Sequence, residues 1–333
     1  MLGERRTGLL RPAAPPRTLL LCLILLAGAA LSFAQTGGAV AQKPPAAAEA
    51  TAVDGPRPLR VNVDLVLVPV TVTDPMNRIV TGLEKENFTV FENGERQTIS
   101  SFASEDAPLS LGILFDMSGS MRDKVEMARK AVSEFCQSAN PQDEFFLVAF
   151  NDKPAIVSGF NPSVEAIESA LAYVKPQGRT ALLDAIYLAV RRMREAKNDK
   201  KALLILSDGG DNNSHYSSEE LRALIREADV QIYAMGVFDW EPETEEERGG
   251  PALLTEIADA TGGRMLELDD ARQLPEMARL ISVELRNQYL IAYRPSRRER
   301  DGKWRKIRVK VQPPKGLPLL TVNARSGYYA PAK

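Results

Sequence analysis

Four continuous apolar runs constrain the fold of this chain more than any other feature of its sequence. The runs "LSLGILF", "FFLVAF", "KALLILS" and "VQIYAMGVF" are typical of strands buried on both faces, as in parallel sheets. Helical patterns alternate with these runs, and they predict helices over residues 122–138, 163–173, 182–197, 218–228, 252–260 and 273–288. The alternation over residues 107–288 predicts an α/β domain with a doubly wound, mostly parallel sheet and helices on both faces.

Strand-like segments lie on both sides of this α/β region. Residues 59–105 alternate apolar and polar side chains, and the Asn-Gly pair at 93–94 predicts a hairpin. Residues 289–331 have the same texture, and "NQYLIAYRP" and "KWRKIRVKVQ" are predicted to form a second, basic hairpin around the Asp-Gly pair at 301–302. Neither segment has enough strands to form a stable sheet on its own. The hypothesis is one β-sandwich with the α/β domain inserted into it, and the alternative is two separate β appendages.

The N-terminal residues 1–34 have the pattern of an export signal. Four arginines precede an apolar stretch, residues 19–34, which ends in small residues before Gln35. The alternative is an uncleaved anchor that keeps the protein near a membrane, although 16 apolar residues are fewer than the roughly 18 expected of a spanning helix. Residues 35–58 are rich in Ala, Pro and Gly and predict a flexible linker. We therefore expect an exported protein, periplasmic or extracellular.

Composition excludes several classes of function. The net charge of −2 argues against a nucleic-acid partner, which requires a clustered basic face. Beyond the signal, Cys136 is the only cysteine, so neither an internal disulfide nor a zinc site with paired cysteines can form. We interpret Cys136 as a small buried hydrophobic residue. His215 is the only histidine, which removes most hydrolase triads and transition-metal sites, and we expect it to be exposed without a chemical role.

Oxygen-bearing side chains stand where two of the apolar runs end. Asp116 ends the first run and is followed by Ser118 and Ser120, whereas Asp208 ends the third run. Thr180 lies in a glycine-containing loop before a predicted helix. Ligands of doubly wound sheets bind at the carboxyl ends of the strands, so we expect these five side chains to converge. Hard divalent cations take such oxygen ligands, and the hypothesis is a site for Mg²⁺, or for Mn²⁺ or Ca²⁺.

The combination of "DMSGS", Thr180 and the "SDG" that contains Asp208 resembles the metal-ion-dependent adhesion site of von Willebrand factor A domains and integrin inserted domains. The resemblance covers about residues 107–288, and the flanks resemble a bacterial subfamily of exported proteins that carry this domain between β segments. It implies that the five residues hold a divalent cation and that a protein partner supplies a Glu or Asp to an open coordination position. It therefore implies an exported, non-enzymatic binding protein.

Simpler interpretations of the same residues remain open. Ser118, Ser120 and Thr180 could cap helices, and Asp208 could belong to an ordinary turn. The polar residues 211–213 extend that loop, and we expect them to need no role of their own. The chain could instead be a periplasmic scaffold with a structural metal. A third alternative is a magnesium-dependent phosphatase, in which a strand-end Asp attacks phosphate, although that chemistry needs an acid where this chain has Ser118. The acidic run 239–247 is expected to be a solvated loop, and the alternative is that it lies beside the cation site and repels acidic ligands.

Overall fold

The computed structural model describes residues 65–104, 106–161, 163–173, 175–238 and 244–332. The predicted export signal over 1–34 and the predicted linker over 35–58 lie outside the described residues, and so do residues 239–243 of the acidic run. Within the described ranges, every helix is too short or too polar to span a membrane.

The described residues form fourteen strands and six α-helices. The strands are β1 (Val66–Thr73), β2 (Phe88–Glu92), β3 (Glu95–Gln97), β4 (Ile99–Ala103), β5 (Leu109–Asp116), β6 (Glu144–Phe150), β7 (Pro154–Asn161), β8 (Lys200–Ser207), β9 (Gln231–Val237), β10 (Met265–Leu268), β11 (Tyr289–Tyr293), β12 (Trp304–Val311), β13 (Thr321–Ala324) and β14 (Gly327–Tyr329). The helices are α1 (Val125–Gln137), α2 (Val164–Ala172), α3 (Leu182–Arg192), α4 (Ser218–Glu227), α5 (Glu245–Thr261) and α6 (Leu274–Arg286).

A six-stranded sheet with the order β10-β9-β8-β5-β6-β7 forms the centre of the α/β region. All neighbouring strands in it are parallel except β6 and β7, which are antiparallel. Every residue of β5, β6 and β9 is buried, as the continuous apolar runs predict. The prediction of a doubly wound, mostly parallel α/β sheet is therefore confirmed.

Helices cover both faces of this sheet. Alternate residues of β5 point to opposite sides, so Ile113 packs in the cluster that contains α1, α2 and α6. Leu114 packs in the other cluster, with α3, α4 and α5. The buried thiol of Cys136 belongs to the first cluster, as expected. The sheet is therefore the middle of three layers. Its two faces are covered by helices, and only its edges and strand ends can reach solvent.

Helix α5 begins earlier than the sequence predicts. The prediction starts at 252, after a Gly-Gly-Pro run, whereas the helix begins at Glu245 and contains Pro251. The amide of Arg248 donates to the carbonyl of Thr244, which forms a first turn ahead of the proline. The last residues of the acidic run 239–247 are thus helical, and the expectation of a solvated loop is wrong for them.

Two four-stranded sheets flank the α/β region and combine strands from both ends of the described chain. Their orders are β13-β1-β11-β4 and β14-β12-β2-β3. Strand β1 pairs antiparallel with β11, from Val66 opposite Tyr293 to Val70 opposite Tyr289. The residues of both sheets share one apolar cluster, which includes Val68 and Ile307. Strands before and after the α/β region therefore depend on each other for burial.

The two predicted hairpins have different outcomes. Strands β2 and β3 pair around Asn93 and Gly94, both at positive φ, so the first hairpin is confirmed. The prediction of a hairpin around residues 301–302 is wrong, because β11 lies in one sheet and β12 in the other. Since β1 and β4 occupy both edges of β11, β12 pairs with β2 and β14 instead.

Candidate metal centre

Three separate chain segments meet at the carboxyl end of the central sheet. The segment after β5 contacts the loop before α3 through two backbone hydrogen bonds, from the Gly119 amide to the Gly178 carbonyl (3.0 Å) and from the Gln177 amide to the Met117 carbonyl (2.8 Å). The third segment follows β8, and the Ser207 hydroxyl donates to Asp116 Oδ2 at 2.5 Å. The topology thus brings the regions of all five predicted ligands together.

Asp116 is the buried centre of this arrangement. Its side chain is fully buried, and Oδ1 accepts the amide of Ser118 at 2.8 Å. Burial and the negative charge of Asp208 raise the pKa of Asp116 to about 7, against hydrogen bonds from Ser207 and Ser118 that lower it. Burial is the larger cause of the raised pKa, and repulsion from Asp208 adds to it.

The two serines of "DMSGS" do not act as helix caps. Their hydroxyls lie 3.1 Å apart. Ser118 precedes a short 3-10 turn without a capping hydrogen bond from its side chain, and α1 begins only after Lys124. Ser118 is buried, whereas Ser120 is exposed. The capping alternative therefore does not explain these serines.

Thr180 is buried and its backbone is held by the loop after β8. Its amide donates to Asn212 Oδ1 at 2.9 Å, and its carbonyl accepts the amides of Asn212 and Asn213 at 3.0 and 3.1 Å. The residue before α3 is Ala181, so Thr180 is not the N-cap of that helix. The contacts place the threonine in the same region as Asp208 without giving it a capping role.

A lysine that no sequence motif marks faces the second carboxylate. Asp208 is buried, and its Oδ2 lies 3.9 Å from Nζ of Lys124, which also donates to the carbonyl of Val237 at 3.1 Å. The ammonium supplies a fixed positive charge beside Asp208. Lys124 lies in a predicted helical segment with no local motif, so only the fold reveals its position.

The polar residues after Asp208 also have a structural role. Asp211 Oδ1 accepts the amides of Leu182 and Leu183 at 2.8 and 3.4 Å, and so it caps the start of α3 from another loop. Ser214 donates to Asp211 at 2.6 Å. The polar run after the strand-end aspartate was the available signal. The expectation that residues 211–213 need no role is wrong.

His215 is exposed as expected, and it has one structural contact. Its Nδ1 lies 2.9 Å from Oδ2 of Asp184 on α3, and its amide donates to Oδ1 of the same carboxylate at 2.8 Å. The side chain is 77% exposed. The histidine therefore stabilises the loop after β8 against α3 and belongs to no cluster of reactive groups in the described structure.

The donor set of the site fits a hard cation. No three His, Cys, Asp or Glu side chains of the described residues gather in a way that could hold a metal, so soft or nitrogen-rich sites do not apply there. The site instead offers two repelling carboxylates and three hydroxyls. Oxygen donors of this kind suit Mg²⁺, Mn²⁺ or Ca²⁺, and a cation would offset both the burial of the Asp116 carboxylate and its repulsion from Asp208, which together raise its pKa.

Residues 111–210 match the family model of the von Willebrand factor type A domain. The chain therefore contains a domain of this class, and the matched stretch includes all five predicted ligands. Domains of this class typically mediate protein–protein interactions.

Several known proteins are similar to parts of the chain. Over 167 residues it is 27% identical to the inter-alpha-trypsin inhibitor heavy chain H4 of Sus scrofa, which covers 46% of this chain and 18% of that relative. The chain thus spans less than a fifth of that curated relative. Among solved structures, a von Willebrand factor type A protein from Catenulispora acidiphila has a TM-score of 0.48 at 16% identity, covering 80% of this chain and 75% of that one. The BatB protein of Bacteroides thetaiotaomicron has a TM-score of 0.43 at 19% identity, covering 53% and 97%.

Proposed function

We propose that this chain is an exported, non-enzymatic binding protein that holds a protein partner through a divalent cation at the carboxyl end of its central sheet. The observation that carries the proposal is the convergence of three chain segments, each bringing oxygen donors, around the buried carboxylate of Asp116. The presence of a von Willebrand factor type A domain supports a protein as the partner.

Each proposed ligand has a distinct role. Ser118, Ser120 and Thr180 would hold the cation through neutral hydroxyl oxygens, and Asp116 and Asp208 through carboxylates, directly or by way of water. Because three of the donors are neutral, the cation keeps positive charge, which attracts an acidic side chain of a partner. The cation, Mg²⁺ or alternatively Mn²⁺ or Ca²⁺, would supply this electrostatic bridge when bound.

The contacts of the site favour binding over catalysis. Ser118 Oγ lies against the hydroxyl of Ser120, which is a poor proton acceptor near neutral pH. The single histidine, His215, contacts Asp184 instead of either serine. A phosphatase would need a general acid two residues after Asp116, where Ser118 stands. A scaffold function with a structural metal remains the second candidate, because the same ligands would serve it.

Asp116→Asn provides the direct test of the cation site. Magnesium at about 100 times its Kd stabilises a folded protein by about 2.7 kcal/mol. We expect Mg²⁺ to raise the thermal unfolding temperature of the wild type and of the matched control Asp123→Asn, whose exposed carboxylate lies outside the donor set. Asp116→Asn should show no such shift. A magnesium-dependent shift that survives in Asp116→Asn would contradict the proposed site.

Partner capture separates the proposed function from its alternatives. Pull-downs from extracts of the producing organism, with Mg²⁺ and with EDTA, should recover a partner only with Mg²⁺. A partner that stays bound in EDTA would support the scaffold. Hydrolysis of p-nitrophenyl phosphate that Asp116→Asn abolishes would support the phosphatase.

Mass spectrometry of the exported protein tests cleavage of the export signal, which we expect before Gln35.

A further inference from the structure

Two adjacent cavities lie at the end of the central sheet opposite to the proposed cation site. Their volumes are about 310 Å³ and 370 Å³, and they share the lining residues Leu67, Asp229 and Arg325. The first cavity is lined by the starts of β8 and β9, including Lys200 and Gln231, whereas Asp116 ends β5. Because β5 has eight residues, its two ends are roughly 25 Å apart. We call the two joined cavities the basal groove.

The basal groove is basic in a chain that is acidic overall. Nine lysine and arginine residues line it against four acidic residues, whereas the whole chain has a net charge of −2. Some charges of both signs are already paired: Asp229 lies 2.6 Å from Arg325 within the lining, whereas Arg297 pairs with Glu95 at 2.6 Å, Lys197 lies 3.9 Å from Glu144 and Glu299 lies 4.0 Å from Arg305, all three partners being outside it. The basic residues still outnumber the acidic ones. The excess of positive charge therefore favours an anionic ligand.

Three of the arginines are available for such a ligand. Arg226, Arg294 and Arg298 are exposed, and none of them forms an ion pair with a described residue. The guanidinium carbon of Arg226 lies 5.9 Å from the centre of the Trp304 ring, a cation–π contact that leaves the side chain exposed. The three lie along both cavities, so the charge is spread over the length of the groove and does not converge on one point.

The shape of the groove distinguishes between polyanionic partners. Apolar side chains of Leu67, Pro69, Ile225 and Leu290 line the first cavity between the basic residues. Arg325 is recessed, with 13% of its side chain exposed, so a flat layer of lipid headgroups would reach only the outer arginines. An extended chain that alternates acidic and apolar residues can enter the groove and fill both kinds of surface.

We propose that the basal groove binds an acidic, extended peptide segment of a partner protein. The segment's carboxylates pair with the groove arginines, for which the guanidinium fork is well suited, and its apolar residues cover the floor between them. The cation at the other end of the sheet takes no part. The groove therefore gives the protein a second binding surface, independent of the proposed metal-dependent one.

The test uses a short fluorescein-labelled peptide in which glutamate alternates with valine, followed by anisotropy on the full chain. A second peptide carries glutamine in place of glutamate. We expect saturable binding of the acidic peptide, at least tenfold weaker binding of the glutamine peptide, and weakening with added salt. Binding should persist in EDTA and in Asp116→Asn, so its outcome is separate from that of the cation site.

Matched triple variants locate the peptide on the protein. Replacement of Arg226, Arg294 and Arg298 by glutamine should weaken binding of the acidic peptide about tenfold, because three exposed ion pairs of modest strength are lost together. The control replaces three exposed basic residues outside the groove by glutamine, and it should bind as the wild type does: Lys130, Arg194 and Lys315. Circular dichroism checks that both variants fold.

Three results would overturn the proposal. One is the absence of saturable binding, and another is equal weakening in the two triple variants. The third is tighter binding of phosphatidylglycerol vesicles or of a single-stranded oligonucleotide than of the peptide, lost in the groove variant. That result would assign the groove to lipid or to nucleic acid.

Discussion

The exposure of single side chains decides from which side a partner could reach the proposed site. Asp116, Ser118, Thr180 and Asp208 are all buried, and only Ser120 among the five is exposed. An acidic side chain of a partner would therefore approach past Ser120. The burial of Asp116 and Asp208 also strengthens the repulsion between their carboxylates, because it removes the water that would otherwise screen their charges.

Lys200 gives a residue-scale prediction about pH. Burial lowers its pKa to about 8 from the ordinary value of 10.5, partly offset by Asp106, and its ammonium donates to the carbonyl of Leu285. Between these two values the unfolded chain holds a proton that the folded chain releases, so the free energy of unfolding rises with pH. We expect a gain of about 2 kcal/mol from pH 8 to pH 10 that Lys200→Met lacks. Urea unfolding of both proteins at each pH measures it, and parallel curves would refute it.

The five proposed ligands could be predicted from the sequence because each signal is local. "DMSGS" follows an apolar run, and Asp208 ends another run, so the strand-end rule places both at one edge. Lys124 and Asp211 could not be predicted in the same way. Their contacts, to Asp208 and to the amide of Leu182, join segments distant in sequence, and these contacts form only when the sheet order is fixed.

At the scale of elements, the close approach of α5 to the loop after β8 gives a sharp prediction. A Cβ on Gly250 would lie 2.7 Å from the backbone carbonyl of Gly209, which adjoins Asp208 at a φ of +79°. Gly250→Ala should therefore destabilise the protein by about 1–3 kcal/mol. The neighbouring Gly249 has nothing within 4 Å of such a Cβ, so Gly249→Ala should stabilise helix α5 by about 0.5–1 kcal/mol. Urea unfolding measures both, and equal effects would contradict the contact.

The capping of α3 from another loop gives a second prediction at this scale. Asp211→Ala removes the acceptor for the first amides of α3 and should cost about 1–2 kcal/mol. It should also weaken Mg²⁺ binding, because the same loop holds Thr180. Ser163→Ala, which removes the cap of α2, is the control: it should lower stability without changing Mg²⁺ affinity. Calorimetric titration of both variants decides, and unchanged affinity in Asp211→Ala would count against the link.

Strands β7 and β12 show where prediction of elements fails. Strand β7 was not predicted, because its residues from Ala155 to Val157 are exposed and lack the continuous apolar run of a central strand. Strand β12 was predicted as a strand but assigned the wrong partner. Alternation of apolar and polar residues sets which face a strand buries, and it does not state which strand lies beside it.

At the scale of the whole molecule, a buried polar network joins the last helix of the α/β region to the flanking sheets. Glu284 on α6 pairs with Arg264 at 2.8 Å and accepts the hydroxyl of Tyr233 at 3.2 Å. Gln288 donates to that tyrosine at 3.1 Å and to Thr71 on β1 at 3.2 Å. Only residues 287–288 separate α6 from β11, so the network and the chain both hold the two regions together.

Breaking this network should cost far more than breaking an exposed ion pair of similar geometry. Glu284 is 1% exposed, and Glu284→Gln leaves the guanidinium of Arg264 without its counter-charge, so we expect a loss of about 3–5 kcal/mol. In the matched control, Glu256→Gln breaks the exposed bidentate pair with Arg222, at 2.5 and 2.8 Å, and should cost about 0–1 kcal/mol. Urea unfolding of both variants gives the difference. Losses of equal size would mean that the network contributes no more than a surface contact to the union of the two regions.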